Sequence, residues 1–87
     1  MSIEVEKAQL MFTLARSKGN WGAKYDRIEH FKRFQNIRQI VKELSKNDWV
    51  LVYKKPNYTA ISLNPKYKRE ILEFIEEKLS YTKGMIK

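Results

Sequence analysis

The chain reads as a mainly helical α+β fold: three helices, a two-stranded hairpin and a long last helix. Three stretches predict this. Within residues 34–44, Ile37, Ile40, Val41 and Leu44 fall at i, i+3, i+4 and i+7, a single helix face, while Gln35, Arg38, Gln39 and Lys42 repeat that spacing on the opposite side. The period then changes to two in residues 49–53 and 58–63, with Pro56 and Asn57 between the two runs. After the second run, Asn64 followed by Pro65 marks the start of another helix, a capping residue and then a residue whose fixed φ suits the first turn.

The elements follow in order. A first helix is expected over residues 3–18, with Ser2 as N-cap, Glu4 and Glu6 at the positive end of its dipole, and Arg16 and Lys18 at the other. Gly19 would close it in the left-handed conformation. Its buried face would be Val5, Ala8, Met11 or Phe12, and Ala15. Trp21, in the connector that follows, is read as covering the edge of the core. A second, shorter helix is expected over residues 23–31, where Tyr25, Ile28 and Phe31 recur at three. A turn near Lys32 and Arg33 leads to the third helix, which ends in the polar cluster of residues 45–48.

If Pro56 and Asn57 form the hairpin loop, cross-strand partners have residue numbers that total 113. Val50 then faces Leu63 and Val52 faces Ile61 on one side of the ribbon, while Leu51 faces Ser62 and Tyr53 faces Ala60 on the other. The last helix should run over residues 65–83, with Gly84 as its stop.

Composition bounds what such a fold can do. Eighty-seven residues make one domain, residues 1–87, with one small core and no catalytic cleft between domains. A hydrophobic fraction of 43% with 13% aromatics argues for a folded chain over a disordered one. Without cysteine there is no disulfide framework and no thiolate metal site, as fits a reducing compartment. No apolar run reaches membrane-spanning length, and the first residues lack a basic stretch followed by an apolar one, so the expectation is a cytoplasmic protein with no membrane partner.

The net charge is +8 and the isoelectric point about 9.8, in the range of nucleic-acid-binding domains. Position matters more than the total. Between Lys24 and Lys46 seven basic residues stand against three acidic ones, Asp26, Glu29 and Glu43. The alternative, a solvated surface of the lysine- and glutamate-rich kind found in proteins from hot habitats, accounts for the charge but not for its concentration on this segment.

The stretch from Ile37 to Val50, with the returning run Tyr58 to Pro65, resembles the winged helix-turn-helix transcriptional regulators of bacteria and archaea. The likeness covers residues 24–79. Asp48 and Trp49 stand where that family usually has glycine and leucine, and the turn before the third helix lacks the family's small residue. The resemblance implies a protein that binds double-stranded DNA in a sequence-specific way. Its third helix would enter the major groove with Gln35, Asn36, Arg38, Gln39 and Lys42, because arginine matches the guanine edge and glutamine or asparagine the adenine edge with paired hydrogen bonds. Lys24, Arg27, Lys32 and Arg33 would hold phosphates, joined from the wing by Lys54, Lys55, Asn57 and Tyr58. The alternative reading is a winged-helix module that binds RNA or a protein partner.

Nothing in the sequence argues for an enzyme. His30, the single histidine, lacks a cysteine partner, and there is no phosphate-cradling glycine loop, zinc spacing or nucleophile motif. No cofactor, metal or small-molecule ligand is expected. The last helix carries a wide apolar stripe of Tyr67, Ile71, Leu72, Phe74, Ile75 and Leu79, more than one face needs. Its surplus, Leu72, Ile75 and Leu79, is expected to meet a second copy across a two-fold axis, placing two third helices on half-sites one helical turn apart. In the alternative, the rest of the same chain covers the stripe.

Overall fold

The computed structural model describes residues 3–16 and 19–80. Its elements are α1 (Ile3–Ala15), β1 (Asp26–Arg27), a 3-10 turn (Ile28–Phe31), α2 (Ile37–Lys46), β2 (Val50–Lys54), β3 (Thr59–Leu63), a second 3-10 turn (Pro65–Tyr67) and α3 (Lys68–Lys78). The fold is α+β and mainly helical, with three α-helices and one three-stranded antiparallel sheet in the order β1-β3-β2.

α1 is the central helix, packing against α2, α3 and β3. Ala8, Leu10, Met11 and Leu14 are fully buried, and Phe12 and Ala15 nearly so. Burial therefore extends round most of the helix, where the sequence reading expected one face with Val5 in it; Val5 is only half-buried. The buried side is wide, while Glu6, Gln9 and Thr13 line an open groove on the other side. The expected cap Ser2 and the end of the helix at residues 17 and 18 lie outside the described residues. Gly22 takes the left-handed conformation, at φ 98°. At Gly19 the chain makes a close approach, since a Cβ there would stand 2.8 Å from Cβ of Lys24.

The expected second helix is largely replaced. Residues 20–22 are tied to β3: the amide of Leu63 donates to the carbonyl of Asn20 at 2.7 Å, and the amide of Gly22 donates to Oγ of Ser62 at 2.8 Å. The chain leaves that anchor extended, and Asp26 and Arg27 pair with Ile61 and Ala60. The helical part shrinks to the single 3-10 turn that buries Phe31. The hairpin thus gains a third strand that the sequence reading did not expect.

The register of β2 against β3 is the expected one throughout, from Val50 opposite Leu63 to Lys54 opposite Thr59. Lys55 and Tyr58 close the loop with reciprocal backbone hydrogen bonds of 2.8 and 3.3 Å, leaving Pro56 and Asn57 as its two residues.

The start of the last helix also agrees: Oδ1 of Asn64 accepts from the amide of Lys66, with Pro65 at the first position. Its first turn is 3-10, and its α-helical part ends at Lys78; residues 81–83 of the expected span lie outside the described residues. The apolar stripe is mostly spent inside the chain. Ile71 and Ile75 are fully buried and Leu79 is 5% exposed, all in the core, while Tyr67, Leu72 and Phe74 pack half-buried against it. The ring of Phe74 meets Trp49 edge to face at 5.4 Å. Ile75 and Leu79 thus belong to the core of the chain, and of the three residues expected at a seam Leu72 alone keeps a half-exposed side chain. A helical stripe looks too wide when the body it covers includes a neighbouring helix, here α1, as well as a sheet.

Candidate nucleic-acid interface

α2 owes its attitude to its two ends. Single turns feed it, with the amide of Phe34 bonded to the carbonyl of Phe31 and that of Ile37 to Phe34, and both phenylalanines are buried. Gln35 and Asn36 are exposed in this approach, and the Asn36 side chain makes no capping hydrogen bond. At the other end the amide of Trp49 donates to the carbonyl of Leu44 and that of Asp48 to Ser45, both at 3.1 Å. That is a Schellman closure, which needs a left-handed residue, and Asp48 supplies it at φ 59°. The turn delivers Trp49 and Val50 directly into β2, so α2 and the hairpin are rigidly related.

Ile40, Val41 and Leu44 bury one side of α2, leaving Arg38, Gln39 and Lys42 exposed. Arg38 and Lys42 share a groove with Lys54 of β2, floored by Ile28, Val41 and Val52. No carboxylate lines it. Gln39 is turned the other way, donating from Nε2 to Glu43 at 3.2 Å. Glu43 in turn receives Lys7 at 2.9 Å, and Lys7 also reaches Glu4 at 3.1 Å. Burial pushes the Lys7 ammonium down, but hydrogen bonds to Glu43 and Glu4 outweigh it and the net shift is upward. The Glu43 carboxyl is held below the ordinary carboxylate range chiefly by the bond from Lys7. This clamp between α1 and α2 is absent from the sequence reading, and only the unusual burial of a lysine reveals it.

Other expected contacts divide. Around the hairpin tip, Arg38, Lys55, Asn57 and Tyr58 line a second groove, which also holds the carboxylate of Glu29. Arg27 lies over the ring of Tyr58 at 4.2 Å. Lys24 and Lys32 are exposed, in the loop before β1 and the turn before α2. Arg33 is drawn away: its Nη2 donates to Oγ1 of Thr13 on α1 at 3.1 Å, and it lies over the ring of Phe34. Leu72 is half-buried on α3. His30 stands 3.9 Å from Asp26 on an exposed turn. Among the described residues no group of three histidine, cysteine or acidic side chains is placed to hold a metal ion, and no helix is long and apolar enough to cross a membrane.

Three apolar residues that the sequence reading placed in periodic runs are exposed: Tyr25, Val52 and Tyr53. Val52 and Tyr53 lie on β2, and Tyr25 lies in the loop just before β1.

Comparison of the chain with protein-family models, with curated proteins and with solved structures found no match.

Proposed function

We propose that this chain has a winged helix-turn-helix arrangement and binds double-stranded DNA as a transcriptional regulator, with α2 in the major groove and the β2–β3 hairpin as the wing. The observation that carries the reading is the carboxylate-free groove in which Arg38, Lys42 and Lys54 stand together, one polar helix face and one strand converging on a single basic surface. The three α-helices and the three-stranded antiparallel sheet are compatible with this arrangement, although a 3-10 turn stands where its second helix was expected.

In this reading Arg38 and Lys42 address base edges, where a well-aimed arginine makes two hydrogen bonds to guanine. Gln39 joins them by exchanging its bond to Glu43 for one to a base. Lys54 and the hairpin tip hold phosphates. Each phosphate neutralised releases condensed counterions, so log affinity should fall steeply with log salt. Titrations of a selected site and of random duplex at several salt concentrations test it. Arg38→Ala should cost about 1–3 kcal/mol on the selected site and relax its base preference, whereas Lys54→Ala should weaken all duplexes alike and lower the salt slope by about one. A flat salt response, or equal loss on both duplexes for Arg38→Ala, overturns the assignment.

A further inference from the structure

The sheet has a second face, and its chemistry differs from that of the α2 groove. Cross-strand partners share a face. Arg27, Ala60 and Tyr53 are therefore on one side, and Asp26, Ile61 and Val52 on the side of the core and α2. Alternation along each strand adds Tyr25, Lys55 and Tyr58 to the first side. The inner part of that face is closed, since Ser62 and Ala60 are buried, with the amide of Gly22 on Ser62. The outer part is open. Tyr25 is 36% and Tyr53 46% exposed, their rings 6.1 Å apart and tilted by 58°. Lys55 Nζ lies 4.9 Å from the Tyr53 ring, and Arg27 covers Tyr58. The charged side chains at the sheet positions of this face, Arg27 and Lys55, are both cations, and the carboxylate nearest Lys55 and Tyr58 in the tip groove is that of Glu29 on the 3-10 turn.

We infer that this face binds unpaired nucleotides of a single-stranded nucleic acid, with bases stacked on Tyr25 and Tyr53 and phosphates held by Arg27 and Lys55. Three features select this occupant over an apolar one. The rings are held at the rim by strand geometry, so stacking a base on them costs little ordering. Each cation is already seated against a ring, which places positive charge at the edge of the stack, where a sugar–phosphate backbone passes. The Arg27 guanidinium is also a plane on which a base can stack. Aromatic stacking is tolerant of base identity because every base presents a π face, so binding should show little sequence preference and strong salt dependence. The inference does not need the duplex reading to hold: Lys55 and Tyr58 also line the tip groove with Arg38, but Tyr25 and Tyr53 line neither groove of α2.

The test is fluorescence anisotropy with labelled oligo(dT), oligo(U) and a mixed-sequence duplex of equal length, on wild type, Tyr53→Ala, Tyr53→Leu and Tyr53→Phe. Tyr53→Ala and Tyr53→Leu should each weaken single-strand binding by roughly fivefold to a hundredfold, the range for loss of one stacked base, and leave duplex affinity within twofold. Tyr53→Phe, which keeps the ring, should keep the affinity. Oligo(dT) and oligo(U) decide between single-stranded DNA and RNA by which binds more tightly. Failure of wild type to bind either oligonucleotide overturns the inference. So does Tyr53→Leu binding as wild type, equal loss on the duplex, or a Tyr53→Ala effect confined to self-association in sedimentation. Single-strand binding without duplex binding would sustain this face and defeat the duplex reading; the reverse would do the opposite.

Discussion

Asp48 is the position at which one substitution should report on the joint between α2 and the hairpin. It is the one described residue other than glycine with positive φ, at 59°, and its amide and that of Trp49 close α2. A residue with a Cβ pays roughly 1–2 kcal/mol for this conformation, and aspartate pays at the low end because its short polar side chain tolerates it. A β-branched side chain pays in full. Asp48→Val should therefore lose about 1 kcal/mol, a fall in Tm of roughly 4–8 °C for a domain of this size. Asp48 also puts a negative charge at the negative end of the α2 dipole. Asp48→Asn keeps the conformational tolerance and removes that charge, so it should gain about 0.3–1 kcal/mol. Asp48→Gly removes both costs but loosens the unfolded chain, and should fall at or above wild type. Thermal and urea denaturation of the three variants gives the ranking directly. If Asp48→Val is as stable as Asp48→Asn, the left-handed closure is wrong, and with it the fixed relation between α2 and β2.

Two further outcomes follow from the packing. Ile75→Ala should cost about 2–5 kcal/mol by leaving a cavity under α1, with a Tm independent of protein concentration; a small loss whose Tm rises with concentration would return Ile75 to an intermolecular seam. Because the Glu43 carboxyl is depressed in the folded state, its pair with Lys7 stabilises the fold above the unfolded carboxylate value and is lost as pH falls through the lower, folded one. Lys7 is raised, so the same pair is lost again as pH climbs through and above the ordinary lysine value. Glu43→Gln should flatten both limbs of the stability–pH profile relative to wild type, and an unchanged acid limb would show that the clamp does not form.

The hairpin was legible because a two-residue loop leaves one register: once Pro56 and Asn57 are the loop, every pair from Val50 with Leu63 outward is determined. α2 was legible because its apolar residues make a single narrow row against a polar background. β1 was hidden because two residues are too few to show a period, and Tyr25, Ile28 and Phe31 happen to recur at helical spacing. What overrides that spacing is tertiary: the bonds from Leu63 and Gly22 to and from the 20–22 segment and Ser62. The same limit explains Arg33, whose sequence position among basic neighbours gave no hint that Thr13 would hold it. It also explains the stripe of α3, since a single helix does not reveal how many neighbours will cover it.

The depth of α1 in the core is what leaves α2 and the hairpin free to serve a partner. In many small domains each helix shares the burial equally, and each then shows a comparable polar face. Here α1 gives a wide face to α2, α3 and β3, burying Ala8, Leu10, Met11 and Leu14 completely. α2 needs only Ile40, Val41 and Leu44 to hold its place, helped by the Lys7 clamp at its edge. Its remaining turns stay exposed without loss of stability. The sheet is treated the same way: Val50, Ile61 and Leu63 bury one end, and the other end extends past the core carrying Lys54 on one face and Tyr53 with Lys55 on the other. Core substitutions such as Ile75→Ala should then lower stability and leave affinity measured on the folded fraction unchanged, while Arg38→Ala should do the reverse. A protein in which both substitutions moved both quantities would not be built this way.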